Sequence, residues 1–290
     1  MSDSNSTCQP AAPLRILPRR RHALRSADDY EKHDVVGKGA FGVVVKARDR
    51  RTGKKVALKR GVGEDEGGHG VSDFDAWKVE AACQAACRGH PSIVEIKDVV
   101  RDGKTGEILL VMDSSMRPRR CTARASSTGH RDIKPENILV SVVGQLKICD
   151  FGAATWMKPA GKPYERCLAG TLPYTSPEQL AGNRCYGPAV DMWALGCIMG
   201  ELLTSWPLFG GDMTEKELLA ELSDHLGDLI TELFEVLPAL SPSGREVLTG
   251  LLAFDPEKRL TAAEALEHRW FEEEAKKEEF PGFVSLFGQQ

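Results

Sequence analysis

No apolar run in this chain is long enough to cross a bilayer, which takes about 20 consecutive apolar residues in a helix. A helical membrane span is therefore not expected. No CxxC pair occurs either: Cys8, Cys83, Cys87, Cys121, Cys149, Cys167, Cys185 and Cys197 are scattered. That spacing gives neither paired zinc ligands nor the disulfide framework of a small secreted module. It reads as reduced thiols inside a cell, in cytoplasm and/or nucleus. Cys83 and Cys87 stand one helical turn apart, as a metal pair or as helix core. With no second ligand pair in the sequence, helix core is the reading. An excess of positive charge is also missing: 38 Lys and Arg face 42 Asp and Glu, a net charge of −4. This argues against nucleic acid as the main partner. No internal repeat stands out. The composition that remains, 41% hydrophobic and 28% charged over 290 residues, suits a soluble globular protein of one or two domains with a sizeable core.

Charge is unevenly placed. The first segment, residues 1–29, gathers Arg15, Arg19, Arg20, Arg21, His22 and Arg25, with Asp3 the only acid up to residue 26. It reads as a basic, disordered arm; a nuclear signal or an organellar transit peptide are the alternatives. Residues 30–113 read as strands with one helix. Val35-Val36, Val43-Val44-Val45, Val56-Ala57-Leu58, Ile93-Val94-Glu95-Ile96 and Ile108 to Met112 are the strands. Asp73 to Cys87, with Phe74, Trp77, Ala81 and Ala85 at three- and four-residue spacing, is the helix. Gly61 to Gly70 reads as an acidic loop. From Asp132 on, short strands flank Gly144 and helices follow at Asp191–Leu203, Glu215–Leu237, Gly244–Leu252 and Thr261–Phe271. The last opens with Thr261 three residues before Glu264, a capping box. Residues 273–290 form a tail, charged at first and then apolar. Strands first and helices after predict an α+β fold of two lobes.

Gly37-Lys38-Gly39-Ala40-Phe41-Gly42 fits GxGxxG. A dinucleotide fingerprint of this form leads into a helix. Here it leads into Val43-Val44-Val45-Lys46, which is strand-like. That favours a hairpin whose glycine turn lets backbone amides approach phosphate oxygens, with a plain hairpin turn as the alternative. One strand later, Val56-Ala57-Leu58-Lys59 ends on a lysine. Lys59 either faces solvent or contacts a phosphate, and in the second case it needs a carboxylate to orient it. Glu80, on the helix, is the candidate.

His130-Arg131-Asp132-Ile133-Lys134-Pro135-Glu136-Asn137-Ile138-Leu139, followed by Asp150-Phe151-Gly152, carries the chemistry. With the glycine turn and Lys59, this set resembles eukaryotic protein serine/threonine kinases over roughly residues 30–272. The resemblance implies a bilobal fold with a small β-rich first lobe (30–113) and a helical second lobe (130–272). It implies that ATP and Mg²⁺ are the cofactors and a protein hydroxyl the phosphate acceptor. Asp132 would take or orient the hydroxyl proton, Lys134 would steady the γ-phosphate, and Lys59, paired with Glu80, would contact the α/β-phosphates. Asn137 and Asp150 would hold Mg²⁺, an ion that favours hard oxygen donors. The Gly37–Gly42 turn would cover the phosphates. Val44, Ala57 and Leu139 would wall the adenine, with Met112 as gatekeeper and the backbone of Asp113 and Ser115 at the adenine edge. Thr171 would bridge Asp132 and Lys134. Asp191 would hold the catalytic loop, and Arg259 would pair with Glu178.

The motif wording is similar to the cyclin-dependent-kinase-like branch, plant members in particular. That branch implies a cyclin partner, yet the helix before Glu80 carries no recognisable cyclin-contacting sequence. Ala40 and Phe41 replace the phosphorylatable residues of related glycine loops. No serine or threonine lies between Trp156 and Gly170, where Tyr164 is the only hydroxyl. Arg131, which in the family meets a phosphate, would instead meet Glu165, unless Glu165 is simply solvated. Between Ser114 and Gly129 the family places two helices, which need roughly 26 residues. Here a basic, small-residue connector (114–129) replaces them. The expected consequence is an uncovered apolar face on the Asp191 helix and the catalytic loop, and a second lobe without part of its usual helices. A catalytically impaired kinase-like interaction module is the alternative to an active enzyme.

Overall fold

The computed structural model of the chain describes residues 24–39, 42–60, 73–114, 128–141, 144–164 and 170–278. Ala40, Phe41, Ser115, Glu165, the connector over 115–127, the arm to residue 23 and the tail from residue 279 lie outside the described residues. The chain divides after Ser126 into two compact units.

The first unit holds β1 (Arg25–Ser26), β2 (Tyr30–Gly39), β3 (Gly42–Asp49), β4 (Lys55–Arg60), α1 (Asp73–Ala86), β5 (Ile96–Arg101) and β6 (Ile108–Asp113). The strands form one sheet in the order β1-β5-β6-β4-β3-β2. The β1–β5 pair is parallel and the others antiparallel. Runs of β-branched residues suit this pleated surface. The turn after β3 is set by Asp49, whose Oδ1 accepts from the amides of Arg51 (2.8 Å) and Thr52 (3.1 Å). One face of the sheet carries the core: Ala47, Val56, Leu58, Leu109 and Val111 pack with Ala27, Tyr30 and Val100. Because side chains alternate along a strand, register fixes the other face. Lys59 lies opposite Val44 on one side and Leu110 on the other, and Ala57 opposite Met112. Val44, Ala57, Lys59 and Met112 therefore share one face.

Two expectations shift here. The basic arm ends sooner than residue 29, because Arg25–Ser26 adds a strand and Ala27 is fully buried. Arg25 is held by Asp29 and Asp98, at 3.2 Å each. The strand expected from Ile93 begins at Ile96, since the Val94 carbonyl accepts instead from Gln84 Nε2 on α1 at 2.8 Å.

The second unit opens with two short antiparallel pairs: β7 (Thr128–Gly129) with β10 (Thr155–Trp156), and β8 (Ile138–Val140) with β9 (Leu146–Ile148). Then come α2 (Pro177–Leu180), α3 (Ala189–Thr204), α4 (Glu215–Val236), α5 (Pro242–Leu251), α6 (Ala262–Leu266) and α7 (Arg269–Glu278). α3 is the hub. Trp193, fully buried, and Cys197 pack against Leu218 and Leu222 of α4 and against Leu248 and Leu252. Truncating a residue like Trp193 costs about 3–5 kcal/mol. Reciprocal capping boxes start α4 (Thr214 with Glu217) and α6 (Thr261 with Glu264). The helix expected over 261–271 is broken in two. Glu267 closes α6, and His268 Nδ1 accepts the Trp270 amide (3.3 Å) to start α7. On another face of α3, Ala194 and Ile198 pack on Ile133 with Ile138 alongside. One helical turn further, Leu202 is 76% exposed, and two residues along β8 Val140 is 67% exposed. These are exposed apolar positions on the Asp191 helix and next to the catalytic loop.

Candidate active site

In the first unit, Lys59 Nζ meets Glu80 Oε1 at 2.6 Å, with both side chains buried. β4 delivers the lysine and α1 the carboxylate, 21 positions apart. A buried ammonium without a counter-charge would be costly, so each side chain fixes the other. Trp77, one turn before Glu80 on α1, places its ring under Lys59 Nζ at 5.6 Å, a cation–π contact that adds to the fixing. Trp77 appeared in the sequence only as a periodic core residue; its spacing to Glu80 was the available signal. The glycine turn joins β2 and β3 as a hairpin, with Gly37 opposite Val44, Lys38 opposite Val43 and Gly39 opposite Gly42. Gly42 has φ 131°, a conformation that L side chains rarely adopt. The hairpin thus excludes the helix that a dinucleotide fingerprint requires.

The second unit assembles the other candidates. The amides of His130 and Arg131 both donate to the Asp191 carboxylate, at 2.8 and 2.7 Å. This pins the start of the catalytic loop to α3. Removal from water pushes the Asp191 carboxyl above its usual range, opposed by His130, Arg131 and those two amides. His130 Nδ1 faces the Asp132 amide (3.4 Å), so Nε2–H donates to the Cys149 carbonyl (3.0 Å), and the ring sits edge-on to Phe151.

Asp132 is buried and surrounded. Its Oδ1 accepts from Thr171 Oγ1 (2.8 Å), and its Oδ2 accepts from Asn137 Nδ2 (3.1 Å) and pairs with Lys134 Nζ (3.2 Å). Lys134 Nζ also donates to Thr171 Oγ1 at 2.7 Å, and Asn137 Nδ2 to the Asp132 carbonyl at 2.8 Å. Asp132, Lys134, Asn137 and Thr171 therefore form one network. Tyr174, three residues beyond Thr171, donates to Glu201 Oε2 on α3 at 2.6 Å. Burial and that carboxylate push its phenol well above the usual range, so it stays a donor. Asp150 has φ 60°, and its Oδ1 accepts the Gly152 amide at 3.1 Å. Leu139 lies on β8 opposite Lys147 and is partly open to solvent.

The donor set fits a hard divalent ion. With Asn137 Nδ2 committed to Asp132, the amide oxygen Oδ1 is the atom Asn137 offers, and Asp150 adds carboxylate oxygens. Lone pairs of this type suit Mg²⁺. The Arg259–Glu178 pairing is present as expected. Tyr186 was not singled out in the sequence, yet its hydroxyl accepts from Arg131 Nη1 at 3.0 Å. Nothing in its neighbourhood in the sequence marks it.

Several known proteins are similar to this chain. The protein kinase domain model matches residues 30–122 and 124–271. A protein of Oryza sativa subsp. japonica that carries the name cyclin-dependent kinase F-2 is 36% identical, over 84% of this chain and 90% of that protein. The alignment runs over 306 positions, more than this chain has residues, so that relative carries aligned positions this chain lacks. Cyclin-dependent kinase G-2 of Oryza sativa subsp. indica is 32% identical over 97% of this chain, which spans about half (47%) of that protein's length. Among solved structures, a chain of the CAK complex from Chaetomium thermophilum bound to ATP-gamma-S superposes with a TM-score of 0.70 at 26% identity, covering 84% of this chain and 91% of that one.

Proposed function

Since the chain belongs to the protein kinase family, as a plant-type cyclin-dependent-kinase-like serine/threonine kinase, we propose that it transfers the γ-phosphoryl group of ATP to protein hydroxyls through Asp132. The observation that carries the reading is the network around Asp132. A carboxylate fixed by Thr171, Asn137 and Lys134 is positioned, not free to rotate. Phosphoryl transfer needs little else from a protein than alignment and charge stabilisation.

The roles follow from the donors and acceptors. Asp132 accepts the proton of the substrate hydroxyl as its oxygen bonds to the γ-phosphorus. The bond from the γ-phosphorus to the bridging oxygen breaks, and ADP leaves. Lys134 offers its ammonium to the γ-phosphate. Lys59, oriented by Glu80, offers its own to the α/β-phosphates. The Gly37–Gly42 turn supplies backbone amides to phosphate oxygens. By the likeness to the family, Val44, Ala57 and Met112 on one face of the first unit's sheet would take the adenine, with backbone groups of Asp113 at its edge, and the same likeness assigns Leu139 to it. Asn137 and Asp150 would hold Mg²⁺, which would supply positive charge to offset that of the phosphates.

A cyclin is in the names of the relatives. For this chain that likeness supports a cyclin as a partner, while the helix before Glu80, which carries no recognisable cyclin-contacting sequence, makes a cyclin requirement doubtful. The same reading locates the enzyme inside the cell, in cytoplasm or nucleus, where ATP is available.

The test is phosphate transfer from ATP with Mg²⁺ to a generic basic protein, beside Asp132→Asn. Transfer by the native chain and a loss of about 10²–10⁴-fold in the variant is expected. ATP binding without transfer, unchanged by Asp132→Asn, would sink the enzyme reading and leave an interaction module.

A further inference from the structure

Arg131 follows His130 in the catalytic loop and precedes Asp132, so whatever holds its side chain also holds the loop. The hydrogen-bond partners of its side chain among the described residues are neutral, although its charge also acts on the Asp191 carboxylate. Nε donates to the Ala153 carbonyl at 2.8 Å and Nη1 to the Tyr186 hydroxyl at 3.0 Å. The guanidinium lies 5.6 Å from the centre of the Tyr164 ring. Tyr164 and Tyr186 stack on each other, centres 4.6 Å apart at 28°, and both are buried together with Val190.

Tyr164 is fixed from every side. Its amide donates to the Arg184 carbonyl at 2.8 Å, and its own carbonyl accepts from Arg184 Nε at 2.6 Å. Its hydroxyl accepts the Lys158 amide at 3.1 Å, and Lys158 Nζ sits over the same ring at 5.3 Å. Lys158 Nζ also donates to the Pro163 carbonyl at 2.7 Å. The segment after Gly152 therefore closes on itself at Lys158–Tyr164. It is tied through Tyr164 to Arg184 and Tyr186, and through both tyrosines to Arg131.

No serine or threonine stands between Trp156 and Gly170. Tyr164, the one hydroxyl there, is 3% exposed and out of reach of a modifying enzyme. We propose that Tyr164 and Tyr186 are positioning residues that hold this segment and Arg131 in their working arrangement without any phosphate. The stack, the cation–π contact and the bond from Arg131 Nη1 to the Tyr186 hydroxyl together do the work that a charged group on the segment would otherwise do. The inference rests on the kinase reading for its consequence, but its physical content can be read without catalysis.

The experiment uses the full chain, before and after treatment with a broad phosphatase. Hydrogen exchange is followed by mass spectrometry on peptides covering 154–164 and, as a control, α3. Variants are Tyr186→Phe, Tyr164→Leu and the conservative Tyr164→Phe. In the native chain, protection of 154–164 and kcat should be the same before and after phosphatase. Tyr186→Phe and Tyr164→Leu should each raise exchange in 154–164 by roughly tenfold and lower kcat by a similar factor, with KM for ATP and exchange in α3 unchanged. Tyr164→Phe, which keeps ring and stack, should retain most of both. Protection or kcat lost on phosphatase treatment overturns the proposal, as do variants that exchange like the native chain. Tyr186→Phe removes a single oxygen and keeps the test valid if Tyr164→Leu fails to fold. A native chain without transfer whose variants still lose protection keeps the clamp and removes the kinase reading. Transfer with unchanged protection in the variants does the reverse.

Discussion

Arg259 and Glu178 meet in a two-point ion pair, Nη1 to Oε1 at 2.7 Å and Nη2 to Oε2 at 2.9 Å, across 81 positions of chain. Arg259 spends its other donors on the carbonyls of Ala253, Ala189 and Phe254, and its guanidinium lies over the Trp193 ring at 5.2 Å. All five donors of a fully buried guanidinium are thereby satisfied. Glu178 lies in the first turn of α2, Ala189 begins α3, and Ala253 and Phe254 follow α5. One side chain therefore ties three helices.

Arg259→Met leaves Glu178 buried without its counter-charge and should lower unfolding free energy by about 3–5 kcal/mol. Arg259→Lys should not restore it, because an ammonium has three donors and no planar fork. Urea unfolding followed by far-ultraviolet circular dichroism measures both. A loss below about 1 kcal/mol in Arg259→Met would mean that desolvation had already cancelled the pair's contribution.

Glu80→Gln keeps an oxygen acceptor for Lys59 and removes the charge that fixes it. The fold should survive, with a loss of about 1–3 kcal/mol for the weakened buried bond. Phosphate transfer should fall by about 100-fold, since a small misplacement of a phosphate-binding group has a large effect on rate. Steady-state kinetics with ATP varied, beside the urea curve, separates the two effects. Native kinetics in this variant would show that Lys59 is held by Trp77 and its strand, and not by Glu80.

The spaced motifs explain how much of this was legible in the sequence. Asp132, Lys134, Asn137 and Thr171 could be named because their motifs resemble those of the kinase family, and Lys59 with Glu80 because a lysine ending a strand beside a glycine turn needs a carboxylate to orient it. The Glu178–Arg259 pair was legible through the same resemblance to the family. The capping box at Thr261 was readable because it is local, four residues long and chemically specific. The break between α6 and α7 was not, since Glu267 and His268 are tolerated in helices and it takes the Glu267 cap and the His268–Trp270 bond to end one and start the next. The start of β5 was hidden because the Val94 carbonyl is claimed by Gln84, a partner ten positions away. The Tyr164–Tyr186 stack joins residues 22 positions apart, and no period in the chain encodes that approach.

Acid should weaken the fold through Asp102, in the turn between β5 and β6. The amides of Lys104 and Thr105 and the ammonium of Lys32 hold its carboxyl down, at about 2. The folded value lies below the ordinary aspartate value of about 3.9, so its contribution is complete above that value. It is lost as pH falls through about 2. Asp102→Asn should therefore be less stable than the native chain near neutral pH, and the gap should close as pH is lowered toward 2. Added salt should narrow it at neutral pH, because the Lys32 contact is at the surface. Thermal midpoints across pH measure this. A gap that widens in acid would contradict the assignment. Glu217 and Glu264, lowered by the Thr214 and Thr261 amides, titrate in the same sense and are common to both proteins.

Gly170 stands one residue before Thr171 with φ 118°. A Cβ placed there would lie 2.7 Å from the Arg131 carbonyl oxygen and 3.8 Å from Asp132 Oδ1. Gly170→Ala is thus blocked twice, by backbone conformation and by a main-chain atom that cannot swing away. The strain should be about 1–3 kcal/mol. The chain can relieve it by moving the segment that carries Thr171 away from the catalytic loop. That movement would lengthen the Thr171–Asp132 bond, now 2.8 Å, and free the carboxylate to rotate. The expected result is a fall in kcat of about 100-fold with a thermal midpoint lowered by only a few degrees. Thr171→Ala, which deletes the same bond without backbone strain, should reproduce the fall in kcat and leave the midpoint nearly unchanged. If Gly170→Ala lowered the midpoint while kcat stayed native, the close approach to Arg131 would be a packing feature without bearing on Asp132.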